Sequence, residues 1–150
     1  VSTDVASIGN VVGEIGLTTE QTIPNDSLTE IAFDSDLQED GQIVTVDLSN
    51  NQITIEEPGD YLLVLRTTFD TVPSTGDGLR AEPTVDGGFD QSQSRIPSVT
   101  GSFLTMPTVV SQDKLSTDEA VTGRVRQRTG GDLDLTADER MNNLQVVRIG

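Results

Sequence analysis

The stretch from Tyr61 to Phe69 constrains this chain most. Tyr61, Leu63, Leu65 and Phe69 share one face of an extended segment, and Leu62, Val64 and Arg66 share the other. Successive strand side chains point to opposite sides. A run apolar on both faces therefore lies at the centre of a sheet, or is covered once by its own domain and once by a neighbouring molecule. That makes Leu62 and Val64 candidate subunit-interface residues. Shorter pieces keep the same two-residue period: Val44, Val46 and Leu48 alternate with Thr45 and Asp47, and Val121, Gly123 and Val125 alternate with Arg124, Arg126 and Arg128. Ile53 with Ile55, residues 79–85, residues 99–106, Leu133 with Leu135, and residues 144–149 read as further strands. Asp34-Ser35-Asp36, Glu39-Asp40-Gly41, Glu57-Pro58-Gly59-Asp60 and Asp86-Gly87-Gly88 read as turns. No segment of helical length carries the helical period. The pattern predicts an all-β fold, a single jelly-roll β-sandwich of about ten strands. Residues 1–17, with Gly9, Gly13 and Gly16, read as an extended N-terminal arm, and 18–150 as the jelly-roll domain.

Charge sets the environment. The chain carries 25 Asp+Glu against nine Lys+Arg, a formal net charge of −16, and its one lysine is Lys114. Such a surface repels itself in dilute buffer, but the Debye length falls to about 3 Å in 1 M salt. We therefore expect a protein of a halophile or of a halophile's virus, working in a high-salt environment. The same acidity argues against nucleic acid and anionic membrane surfaces as partners, and no apolar run reaches the ~20 residues of a membrane-inserting span. Val1 in place of Met points to a removed initiator or a processed precursor.

The absence of His and Cys excludes Ser–His–Asp and Cys–His nucleophilic schemes, imidazole or thiolate zinc sites, and disulfides. A carboxylate pair can serve glycoside hydrolysis, but among 25 carboxylates any spacing arises by chance. Gly76-Asp77-Gly78-Leu79-Arg80-Ala81 fits a loose dinucleotide pattern without the strand–helix setting it needs. We expect no enzyme and no catalytic residues.

The order of several short motifs is similar to that of tumour-necrosis-factor-like jelly rolls, especially the globular heads of complement-type collagen-tailed proteins. Pro24-Asn25-Asp26 followed by Ile31-Ala32-Phe33-Asp34 resembles the family's opening. Ile53-Thr54-Ile55 with Gly59-Asp60-Tyr61 looks like its "apolar-x-apolar … Gly-x-Tyr" signature, Thr84-Val85-Asp86-Gly87 its later hairpin, and Asp132–Leu135 with 144–150 its closing strands. On this resemblance Phe33, Gly59, Tyr61 and Gly87 are fold-signature residues, Gly59 making a turn and Tyr61 entering the core. The resemblance implies a homotrimer used for recognition or as a structural cap, without catalysis. The aromatic-rich trimer core usual in the family is thin here, with Tyr61, Phe69 and Phe103 the main candidates.

Three constellations stand out. Arg124, Arg126 and Arg128 lie at i, i+2 and i+4 on one strand face; they pair with carboxylates within or between subunits, or bind an anion. Asp34, Asp36 and Asp40 have some look of a calcium loop but lack its closing glutamate; a solvated acidic turn is the alternative, and no other cofactor is expected. Asn25-Asp26-Ser27 fits an N-glycosylation acceptor. The combined expectation is a non-enzymatic virion structural protein of a haloarchaeal virus: a spike, turret or capsid-decoration trimer. It would contact other virion proteins through residues 1–17 and a host surface glycoprotein or glycan. The alternative is a secreted or cell-surface recognition module of a haloarchaeon binding glycan or protein ligands.

Overall fold

A computed structural model describes residues 10–70, 79–86, 94–96 and 104–150, the side chains of 94–96 and 104–113 excepted. Two antiparallel sheets pack face to face as a sandwich, and the described residues contain no α-helix. The larger sheet is built from β1 (Val11–Gly16), β2 (Gln21–Ile23), β4 (Ser35–Glu39), β7 (Gly59–Phe69), β10 (Leu104–Leu115), β12 (Leu133–Leu135) and β13 (Asn143–Arg148). The smaller contains β3 (Thr29–Glu30), β5 (Val44–Asp47), β6 (Gln52–Ile55), β8 (Leu79–Val85), β9 (Ser94–Ile96) and β11 (Ala120–Gln127). A single 3-10 turn, Leu48–Asn50, links β5 to β6.

The Tyr61–Phe69 run is central, as its two apolar faces require. It forms β7, flanked along one edge by β10 and along the other by β13 and β12. Tyr61, Leu63 and Leu65 turn inward, where they meet a core built from Ile15 of β1, Ile53 and Ile55 of β6, Val121 and Val125 of β11, and Leu144 and Val146 of β13. Tyr61 is fully buried and is the largest such side chain, and its hydroxyl donates to the Glu57 carbonyl at 2.5 Å.

Gly59 opens β7 and makes no left-handed turn. A side chain there would stand 2.7 Å from the Gly150 carbonyl, so the chain's last residue excludes one. Phe33 is buried beyond β3. Gly87, Phe103, Gly76 to Gly78, residues 1–9 of the expected arm, and 99–103 of one expected strand lie outside the described residues; β10 begins at Leu104.

Two expectations are corrected. Residues 11–17 are part of the sandwich, because β1 pairs with β13 on one side and β4 on the other, and Val12, Ile15 and Leu17 are buried. The glycines that resemble a linker mark tight packing instead. A Cβ at Gly13 would meet Val44 at 2.9 Å and one at Gly16 would meet Glu139 at 2.6 Å. Asp34-Ser35-Asp36 is likewise no compact turn, since Ser35–Glu39 forms the edge strand β4. Its exposed carboxylates, Asp36 and Glu39, suit an edge that must not pair with another chain.

Candidate functional site

Two outer faces and one acidic cluster carry the chemistry. On the outside of the larger sheet, Val11, Val147 and Leu62 stand side by side across β1, β13 and β7. Val64 lies two residues along β7, beside Gln145. All five are half-buried in one chain. Gln145 donates to Glu14 at 3.1 Å at the margin of this apolar row.

On the outside of the smaller sheet the alternation of β11 places Arg124, Arg126 and Arg128 together, because Val121, Gly123 and Val125 are taken by the core. Gly123 permits this: a Cβ there would stand 2.8 Å from Leu65 of the opposite sheet. Strand β8 brings Arg80 opposite Arg126 and Glu82 opposite Arg124, while β3 brings Glu30 opposite Arg124 from the other side. Arg95 of β9 occupies the register position opposite Arg80.

The carboxylates here are tied to particular partners. Asp26 adopts a left-handed backbone, φ 58°, and its amide donates to the Gln127 carbonyl. One oxygen, Oδ1, accepts from Arg128 Nε at 2.7 Å and from Arg126 Nε at 3.0 Å and Nη2 at 2.5 Å. Hydrogen bonds from Arg128 and then Arg126 hold the Asp26 carboxyl below the usual aspartate value. Glu82 is fully buried and accepts from Arg80 at 2.9 Å, so its charge is spent beneath the face. Asn25, an exposed residue, uses its side-chain oxygen to accept from the Gly130 amide.

Asp34, Asp36 and Asp40 are not gathered. Burial pushes the Asp34 carboxyl up, but three donors from Thr18 and Thr19 outweigh it and bring it down. Asp36 is on β4, and Asp40 accepts from the Gln42 amide at 3.3 Å. Among the described residues, the group of three carboxylates that does converge is Glu20, Asp70 and Asp134, whose oxygens lie within 4.8 Å of one another. A hydrogen bond with Asp70, reinforced by the charge of Asp134, pushes the Glu20 carboxyl up. Such oxygens suit a hard cation. These residues come from three distant segments, and no sequence spacing announces them; the contributions of Arg80 and Asp26 to the arginine face were hidden in the same way.

No protein-family model and no curated protein matches the chain. Solved structures do. Murine APRIL at pH 5.0 superposes with a TM-score of 0.68 at 11% identity, over 92% of this chain and 98% of that one. Eiger TNF from S. frugiperda gives 0.66 at 10% identity, over 93% and 92%. The globular domain of zebrafish complement 1qA gives 0.60 at 10% identity, over 94% and 98%. The fold is thus the jelly roll shared by tumour-necrosis-factor-like and complement-head domains, and at these identities the likeness concerns fold alone.

Proposed function

We propose that this chain is a non-enzymatic, homotrimeric jelly-roll module that assembles through the outer face of its larger sheet. Its role is that of an external structural element, a spike, turret or capsid decoration, of a haloarchaeal virus. The observation that carries the assembly is the row Val11–Val147–Leu62 with Val64, half-buried apolar side chains on the central strands of a sheet whose inner face is already filled. A soluble surface gains by covering such a row, and three copies follow from the family resemblance. The acidic surface supports the high-salt setting. A cell-surface recognition module is the second reading, favoured by the concentration of arginines on the smaller sheet.

Light scattering in about 2 M KCl tests the assembly. Three chains of 16.0 kDa give 3 × 16.0 = 48 kDa, and Leu62→Glu with Val64→Glu is expected to return the mass to one chain. A wild-type monomer overturns the assembly. Finding the chain in purified virus particles, as against cell envelopes, separates the two roles.

A further inference from the structure

We propose that the arginine face of the smaller sheet binds an anionic polysaccharide, a polymer carrying carboxylate or sulfate groups along its length. The chain has nine cationic residues among 150. Four of them, Arg80, Arg124, Arg126 and Arg128, come together on adjacent strands, and the register puts Arg95 next in line. The described carboxylates among them are Asp26, Glu30 and Glu82. Glu82 is buried against Arg80, and Asp26 engages two guanidinium groups through a single oxygen. Arg126 and Arg128 remain accessible, their side chains 29% and 46% exposed. A face with four arginines to three carboxylates stands out on a molecule of net charge −16.

Geometry and salt both favour this ligand. Neighbouring strands are ~4.8 Å apart, and alternate residues along a strand ~6.8 Å apart. Arg126 and Arg80, with the Arg95 position beyond, form a transverse row, and Arg124, Arg126 and Arg128 form a longitudinal one. A linear polymer with regularly repeated charges can follow either row. Long-range attraction is screened in concentrated salt, so contact pairing must do the binding. Guanidinium forks grip carboxylate and sulfate oxygens in two parallel hydrogen bonds, which fits a cation set made almost wholly of arginine.

A folded protein is the poorer fit. Protein interfaces have an apolar core, whereas the outward residues of β8 and β11 are Arg80, Glu82, Thr84, Thr122, Arg124, Arg126 and Arg128. Single-stranded nucleic acid needs aromatic platforms, and Phe33, Tyr61 and Phe69 are buried. The proposal is independent of the trimer, because Leu62, Val64 and Val147 lie on the other sheet.

The test measures binding of dextran sulfate, polygalacturonate, neutral dextran and poly(dT) to the intact protein by titration calorimetry in about 1 M KCl. The two anionic polysaccharides are expected to bind, and neutral dextran and poly(dT) are not. Arg124→Gln/Arg126→Gln/Arg128→Gln is expected to weaken binding at least about tenfold, whereas Arg140→Gln, which removes an exposed arginine elsewhere, leaves it unchanged. Should the triple variant fail to fold by circular dichroism, Arg128→Gln alone carries the test, with a smaller loss in the same direction. Arg128→Lys, which keeps the charge and loses the fork, is expected to weaken binding too. No binding by the wild type, equal binding of poly(dT), or equal losses from Arg128→Gln and Arg140→Gln overturns the proposal. So does a wild-type assembly larger than three chains that the arginine variants abolish, because the occupant would then be a second copy's acidic surface. Light scattering on the same samples reads the trimer separately.

Discussion

Removing the Tyr61 ring tests whether the core is built as described. Its side chain has no solvent exposure, lies at the start of the central strand, and places its hydroxyl 2.5 Å from the Glu57 carbonyl. Tyr61→Ala deletes a full aromatic ring from a close-packed interior. Large aromatic-to-alanine changes cost about 3–5 kcal/mol through lost burial and residual cavity. Tyr61→Phe keeps the ring and removes only the hydroxyl, at about 1 kcal/mol, with some further cost because the buried carbonyl loses its donor. A domain of this size holds about 5–15 kcal/mol in total, so the alanine variant forfeits a large part of the stability while the phenylalanine variant stays folded. At roughly 2–4 °C per kcal/mol for a chain of this length, the expected fall in Tm is about 6–20 °C for alanine and a few degrees for phenylalanine. Urea unfolding at constant high KCl, followed by far-UV circular dichroism, gives both values. A loss below about 1 kcal/mol for Tyr61→Ala, well under the cavity range, refutes the placement of Tyr61 in the core. Equal losses for the two variants refute the division between ring and hydroxyl.

Lowering the salt is expected to unfold the wild-type protein below roughly 0.5–1 M KCl, as screening of its −16 charge is withdrawn; a circular dichroism spectrum unchanged in dilute buffer refutes this. Glu20 provides a second test, because its carboxyl, raised by Asp70 and Asp134, holds its proton more tightly in the folded state than in the unfolded one. Its contribution to stability is therefore fully present below its ordinary value of 4.5 and lost as pH rises through the folded value. Glu20→Gln is accordingly expected to raise the urea midpoint near pH 7 and to leave it nearly unchanged near pH 4, and equal shifts at both pH values refute the carboxylate cluster.

The acidic edge strand shows where local reading stops. Asp34-Ser35-Asp36 has turn chemistry by composition, and only pairing with β1 converts residues 35–39 into a strand. Exposed carboxylates are compatible with both, so the choice depends on a partner strand that lies more than twenty residues earlier in part and on its register. The same holds for Gly13 and Gly16. Glycine signals a linker when nothing is near it and a close approach when another sheet is, and the Val44 and Glu139 contacts decide for the second.

What the sequence by itself determined is what depends on neighbours along the chain. The period-two alternation established the strands, the inward set of β7 and the outward set of Arg124, Arg126 and Arg128, and the missing His and Cys removed whole classes of chemistry. The order of short motifs also pointed to the right jelly roll. Tertiary structure alone decided what depends on register between distant strands. It set Arg80 opposite Arg126, carried Asp26 to two arginines about a hundred residues later, gathered Glu20, Asp70 and Asp134, and drew Val11, Val147 and Leu62 into one row. The physical reason is that alternation is a local steric property of an extended backbone, whereas pairing partners are chosen by the packing of the whole sandwich.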